Sequence, residues 1–143
     1  MSFNVLIVDD SKSMRRVIKK IISISGFKMD RCFEAGNGKE ALNVLADDWI
    51  DVIMSDINMP EMNGFKLLEE LQKDDLLKNI PVVVITTESS EERMQNALNL
   101  GAKGFIKKPF LPEDLKRILH EVIGVDDDGY YGEDSGDNGD FDF

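Results

Sequence analysis

Seven polar side chains in this sequence stand at equivalent places, each just past a short apolar run. Asp9 and Asp10 follow Val5-Leu6-Ile7-Val8, and Asp56 closes Val52-Ile53-Met54-Ser55. Thr86 and Thr87 follow Val82-Val83-Val84-Ile85, and Lys107 and Lys108 follow Gly104-Phe105-Ile106. A carboxylate at the end of a buried strand must face solvent or a site, because burial without a partner is costly. If the four runs are parallel strands, one sheet edge gathers three carboxylates, the Thr86 hydroxyl and an ammonium group. Like charges ~4 Å apart repel by on the order of 4 kcal/mol at an effective dielectric of about 20. A hard dication with oxygen ligands removes that cost, and Mg²⁺ suits two carboxylates, waters and an incoming phosphate. A carboxylate can also attack phosphorus to give an acyl phosphate. The metal and Lys108 would then stabilise charge on the transferring group. The constellation points to a divalent metal and a phosphoryl group.

The elements that position these residues alternate strictly. After the first run, Met14, Val17, Ile18, Ile21 and Ile22 recur at helical spacing, with Ser11 or Ser13 as cap and Gly26 as stop. Residues 28–34 read as a weaker, more peripheral strand, and residues 37–47 as a helix through Ala41, Leu42 and Leu45. Asn63-Gly64 opens a helix carrying Phe65, Leu68 and Leu71. The acidic opening from Glu88 to Glu92 favours a helix N-terminus, and that helix carries Met94, Ala97 and Leu98 and stops at Gly101. Pro112 marks the first turn of a last helix, with Leu115, Ile118, Leu119 and Val122 on one face and Gly124 at its end. Five strand–helix pairs predict an α/β fold with a parallel sheet. The central runs are continuous Val, Ile and Leu, as expected of strands covered by helices on both faces. Ligands of such sheets bind beyond the carboxyl ends of the strands, where Asp9, Asp10, Asp56, Thr86 and Lys108 all fall.

Composition narrows the function classes. The 143 residues carry a formal net charge of -11. Eight acids and no base lie from Val125 onward, which leaves 20 acids against 17 bases in residues 1–124, a net of -3. Residues 1–124 therefore form the expected domain, and 125–143 an acidic tail too polar to build a core. Its Tyr130, Tyr131, Phe141 and Phe143, spaced among acids, suit a solubilising tail, a partner-binding segment, or one that docks on the basic first helix. Clustered bases, needed to bind nucleic acid, occur only on that helix, as Lys12, Arg15, Arg16, Lys19 and Lys20. That run reads either as a solvated face or as a docking surface for a phosphodonor domain. No apolar stretch approaches a membrane span, and the N-terminus lacks signal-peptide order. A cytoplasmic protein is expected, and the lone Cys32 fits a reducing compartment as a buried structural thiol. Met54, Met59, Met62, Met94 and Trp49 read as packing residues, and His120 as an exposed residue of the last helix.

The motifs VLIVDDS, SDINMP, VVVITTE and KKPF, in this order, resemble the receiver domain of two-component response regulators. The likeness covers residues 3–123, and VDDSKSMRR, SDINMPEMNG and LGAKGFIKKPF resemble stand-alone chemotaxis regulators in particular. The resemblance implies a doubly wound, flavodoxin-like sheet of strand order 2-1-3-4-5. It implies that Asp56 is the phosphoryl acceptor, and that Asp10, Asp56 and the backbone carbonyl of Asn58 bind Mg²⁺ directly, with Asp9 acting through a water. Lys108 matches the phosphate-pairing lysine, joined to Pro109 by a cis bond. Thr86 matches the switch hydroxyl, and Phe105 an aromatic rotor that is tyrosine in the chemotaxis regulators; its competing reading is plain core. Asn58 and Glu88 match positions that tune hydrolysis of the acyl phosphate.

The function so implied is a single-domain switch, expected to be a monomer. It would take a phosphoryl group from a histidine kinase or phosphotransfer domain and signal by binding a partner such as a flagellar switch component. It would catalyse its own phosphorylation and dephosphorylation, yet act chiefly as a signalling protein. One rival is a phosphorelay intermediate that hands the group to another histidine domain. Neither would carry a DNA-binding output, since the residues beyond 124 cannot form one. A rival of another class, a phosphatase using an aspartyl phosphate, normally needs Asp-x-Asp and a cap insertion. Asp9 and Asp10 are adjacent, and no such insertion is visible.

Overall fold

The computed structural model describes residues 2–87 and 90–124. Glu88, Ser89 and the acidic segment 125–143 lie outside the described residues, so the readings of Glu88 and of the tail are not addressed by it. The elements alternate as β1 (Phe3–Val8), α1 (Lys12–Ser25), β2 (Met29–Ala35), α2 (Gly38–Asp47), β3 (Val52–Ser55), α3 (Gly64–Gln72), β4 (Val82–Thr86), α4 (Glu91–Asn99), β5 (Gly104–Lys107) and α5 (Pro112–Ile123). All strand pairings are parallel, and the strand order is β2-β1-β3-β4-β5.

The period-2 alternation of each strand decides which layer it feeds. Leu6, Val8, Ile53, Val82 and Val84 pack in one cluster with Ala41, Leu45, Leu67, Leu68, Leu71 and Ala97, from α2, α3 and α4. Val5, Ile7, Val52, Met54, Val83 and Ile85 pack in the other with Ile18, Ile22, Leu115 and Leu119, from α1 and α5. Both faces of the central strands are thus covered, as their unbroken apolar runs require. The register sets Val8 of β1 beside Ser55 of β3, so Asp9 and Asp56 leave the sheet as neighbours.

Local chemistry sets the helix starts. Side-chain oxygens of Ser11, Asn37, Asn63 and Ser90 each accept the backbone N–H three residues on, satisfying one otherwise unpaired amide of the first turn. Ser11, not Ser13, is therefore the cap of α1. Gly26 ends that helix at φ +88°, a left-handed conformation that glycine adopts without a Cβ penalty.

Two expectations fail. Trp49 is not a packing residue: it is 78% exposed, and its indole Nε1 donates to Asp51 Oδ1 at 3.0 Å. Ile50, 3% exposed, fills the core position at this corner instead. His120 is not exposed but buried, its ring 5.6 Å from that of Phe27. The helical pattern of α5 could not show this, because the covering ring comes from the α1–β2 connection. Cys32 is half-buried on β2. Burial, with Glu34 adding to it and Lys19 opposing, pushes its thiol up to about 11, which keeps it protonated at neutral pH. No described helix is long and apolar enough to cross a membrane.

Candidate functional site

Each strand end delivers one part of the site. Asp9, at the end of β1, is buried, and Asp10 beside it is exposed. Asp9 Oδ1 accepts the Ser11 N–H at 2.9 Å, and its Oδ2 accepts from Lys108 Nζ at 3.1 Å. Its carbonyl accepts from Arg15 Nη1 at 2.6 Å, and Arg15 Nε reaches Glu34 at 2.9 Å. One member of the basic helix is therefore spent on the scaffold, while Lys12, Arg16, Lys19 and Lys20 remain exposed.

Asp56 leaves β3 half-buried. Its backbone N–H donates to the Val8 carbonyl at 2.9 Å, locking the two acidic strand ends together. Its Oδ1 accepts from the Ile57 N–H at 2.7 Å, and its Oδ2 lies 3.7 Å from Lys108 Nζ. From β4, the fully buried Thr86 directs its hydroxyl to the same carboxylate. Lys108 follows β5, where its N–H donates to the Thr86 carbonyl at 3.0 Å. The Lys108–Pro109 peptide is cis, as the resemblance implies.

Burial is the largest influence on the Asp56 carboxyl and raises its pKa above the ordinary carboxylate value. Lys108, the Ile57 N–H and Thr86 pull it down, and Asp9 pushes it further up. The ionised form is thus held under electrostatic pressure that a second cation would relieve. Carboxylate oxygens of Asp9, Asp10 and Asp56 lie within 4.8 Å of one another. One ammonium cannot neutralise three carboxylates, and an all-oxygen donor set matches a hard dication such as Mg²⁺.

The loop after Asp56 depends on a close approach that sequence reading registered only as a helix start. Gly64 N–H donates to the Ile57 carbonyl at 2.8 Å. A Cβ at Gly64 would collide with the Asp56 carbonyl oxygen and lie 2.9 Å from Ile57 Cα. Both obstacles are backbone, so the acceptor loop itself would have to move. Gly64→Ala is expected to destabilise the chain by about 1–3 kcal/mol and to slow phosphoryl uptake. Chemical denaturation and a labelling time course check this; wild-type values for both would show that the loop tolerates the shift.

Phe105 is 39% exposed on β5, opposite Val84 and thus on the same sheet face as Thr86. It lines a groove of about 350 Å³ with Glu91, Met94, Gln95, Leu98 and Lys107. The plain-core reading of Phe105 does not hold. Asn58 is exposed, and its side chain is held by a residue that sequence reading missed, Arg93 of α4, whose Nη2 donates to Asn58 Oδ1 at 3.0 Å. Nothing in the local sequence pattern of α4 marks Arg93, because its partner lies 35 residues earlier.

A family model for the response regulator receiver domain matches residues 5–120. The chain belongs to the response regulator receiver family. Chemotaxis protein CheY1 of Helicobacter pylori is 42% identical over 123 residues, spanning 85% of this chain and 98% of that protein. Among solved structures, Vibrio cholerae chemotaxis protein CheY4 superposes with a TM-score of 0.76 at 36% identity, covering 85% of this receiver and 99% of that chain. The signal receiver domain of a signal transduction histidine kinase from Syntrophus aciditrophicus gives 0.75 at 31% identity, covering 85% and 90%. This receiver is therefore of the CheY type found among chemotaxis response regulators.

Proposed function

We propose that Asp56 accepts a phosphoryl group from the phosphohistidine of a sensor histidine kinase or phosphotransfer domain, and that the charged receiver signals by binding another protein. The observation that carries this reading is the convergence of Lys108, Thr86 and Asp9 on one half-buried carboxylate. In the transfer, an Asp56 oxygen bonds to phosphorus, the phosphorus–nitrogen bond of the donor breaks, and the histidine nitrogen regains a proton. Lys108 Nζ, already 3.1 Å from Asp9 and 3.7 Å from Asp56, pairs with the new phosphoryl oxygens, and Thr86 donates its hydroxyl to one of them. Asp10, Asp56 and the Asn58 carbonyl would hold Mg²⁺ directly and Asp9 through a water; the ion supplies charge neutralisation during transfer. Asn58 and Glu88 tune the return reaction with water.

The signal is a population shift driven by about two added negative charges. Thr86 is inward already, which leaves Phe105 as the group with room to move. Its turning in would reshape the groove beside α4 where a partner reads the state. In a chemotaxis setting that partner is a flagellar switch component. The receiver works as a cytoplasmic monomer without nucleic acid or membrane, its own phosphorylation and autodephosphorylation being its only catalysis. Residues 1–124 are the functional unit, and 125–143 an acidic appendage.

A phosphorelay role is the second reading, favoured by the likeness to a receiver domain that belongs to a histidine kinase. Beryllofluoride, a stable phosphoryl mimic, separates the two. Binding of a flagellar switch peptide that tightens with beryllofluoride supports the stand-alone switch. Unchanged peptide affinity, with transfer of label from Asp56 to a histidine domain, supports the relay.

A further inference from the structure

The connection from Arg93 to Asn58 is not needed to build the acceptor site, yet it ties α4 directly to the acceptor loop. Arg93 sits in the first turn of α4, where its N–H donates to the Ser90 cap oxygen at 3.3 Å. Its guanidinium lies over the Phe65 ring at 5.0 Å from the centroid, and its Nη2 donates to Asn58 Oδ1 at 3.0 Å. A surface arginine is ordinarily free to sample many rotamers. Here a ring from α3 and an amide from the β3–α3 loop fix its planar fork in one position. Ile57 is buried, so Asn58 is the first exposed side chain after Asp56. Lys108 and Asp9 close the inner side of the carboxylate. Asp10 and Asn58 are exposed on the two loops that flank the acceptor, so both can meet a water that approaches it.

We infer that Arg93 is a positioning residue that lengthens the life of the phosphorylated state by occupying the Asn58 amide oxygen. The inference rests on Asp56 being the acceptor. Hydrolysis requires a water oxygen to bond to phosphorus as the phosphorus–oxygen bond to Asp56 breaks. The carboxylate is restored, and phosphate leaves with the water's protons shared between it and solvent. An amide oxygen at the mouth of the site assists by accepting a hydrogen bond from that water and fixing its approach. While Arg93 donates to that oxygen, it is a poorer acceptor and is turned toward α4. Release of Arg93 frees it. The same contact makes phosphoryl lifetime sensitive to whatever engages α4, because a partner that shifts the helix also shifts the fork holding Asn58.

The test is the first-order loss of labelled acyl phosphate after removal of acetyl phosphate, in wild type, Arg93→Ala, Asn58→Ala and the double variant. Arg93→Ala is expected to accelerate loss on the order of fivefold, the equivalent of one net hydrogen bond. In the Asn58→Ala background the same change is expected to have no further effect, since both residues act through one contact. Arg93→Gln, which keeps a stem against Phe65, guards against a folding defect and is also expected to shorten the lifetime. An unchanged or longer lifetime in Arg93→Ala and Arg93→Gln would overturn the inference. So would an acceleration that persists undiminished without the Asn58 amide. Failure of the wild type to take up label would instead count against the acceptor assignment, before any variant is compared.

Discussion

Asp56→Asn is expected to abolish uptake of a phosphoryl group from acetyl phosphate in the presence of Mg²⁺ while leaving the chain folded. The amide keeps the shape of the carboxyl, and its oxygen can still accept the Ile57 N–H now bonded at 2.7 Å. It lacks the nucleophilic oxygen pair and the charge. Because burial raises the Asp56 pKa, the native chain holds this proton to higher pH than the unfolded chain does. Stability contributed at this position therefore falls as pH rises through the window between the ordinary and the raised value. A neutral amide removes that loss, so without divalent metal the variant should unfold at no lower temperature than wild type above the window. Added Mg²⁺ should reverse the ranking. A ligand at 100 times its dissociation constant stabilises by about 2.7 kcal/mol, and the variant has lost one of three carboxylates. Acid-labile labelling and thermal unfolding with and without Mg²⁺ check both halves. Stoichiometric labelling of the variant would remove Asp56 from the acceptor role.

Lys108→Ala has the largest expected effect on stability, and a large one on rate. Asp9 keeps only 3% of its side-chain surface exposed, and Lys108 only 13%. Truncating the lysine leaves a buried carboxylate beside Asp56 and Asp10 with no ammonium to offset their repulsion. Loss of one partner of a buried pair costs about 3–5 kcal/mol, and the Ser11 N–H that Asp9 retains places the expectation at the lower end. Mg²⁺ should restore much of that stability, since a dication among the same oxygens replaces the missing charge. It should not restore the rate of phosphoryl uptake, expected to fall by ~100-fold or more, the typical effect of deleting one charge-stabilising donor. Urea unfolding at zero and saturating Mg²⁺, with a labelling time course, measures both. Identical unfolding midpoints in metal-free buffer would show that Lys108 does not hold the cluster together.

The central strands were legible because burial on both faces leaves an unbroken apolar run, and the five site residues because each ends such a run. Parallel pairing of β1 with β3 then makes Asp9 and Asp56 neighbours without further information. Strand order was less accessible: apolar periodicity is blind to which strand lies beside which, and here it came from family likeness and is borne out by the observed pairings. What sequence reading missed depends on contacts between distant segments. His120 is covered by Phe27 from another element, Arg15 is turned inward by the Asp9 carbonyl and Glu34, and Arg93 reaches across to Asn58. Trp49 failed for the opposite reason. A large ring next to a core strand usually packs, but a nearby carboxylate satisfies its N–H at the surface.

The most direct test of the account is to locate the covalent bond. Borohydride reduces an aspartyl phosphate to homoserine, which marks the acceptor permanently. After phosphorylation with acetyl phosphate and Mg²⁺, reduction and peptide mapping are expected to find homoserine at position 56 and aspartate retained at 9 and 10. Homoserine at position 9 or 10 instead, or at none of the three in a chain that carries label, would contradict Asp56 as the phosphoryl acceptor.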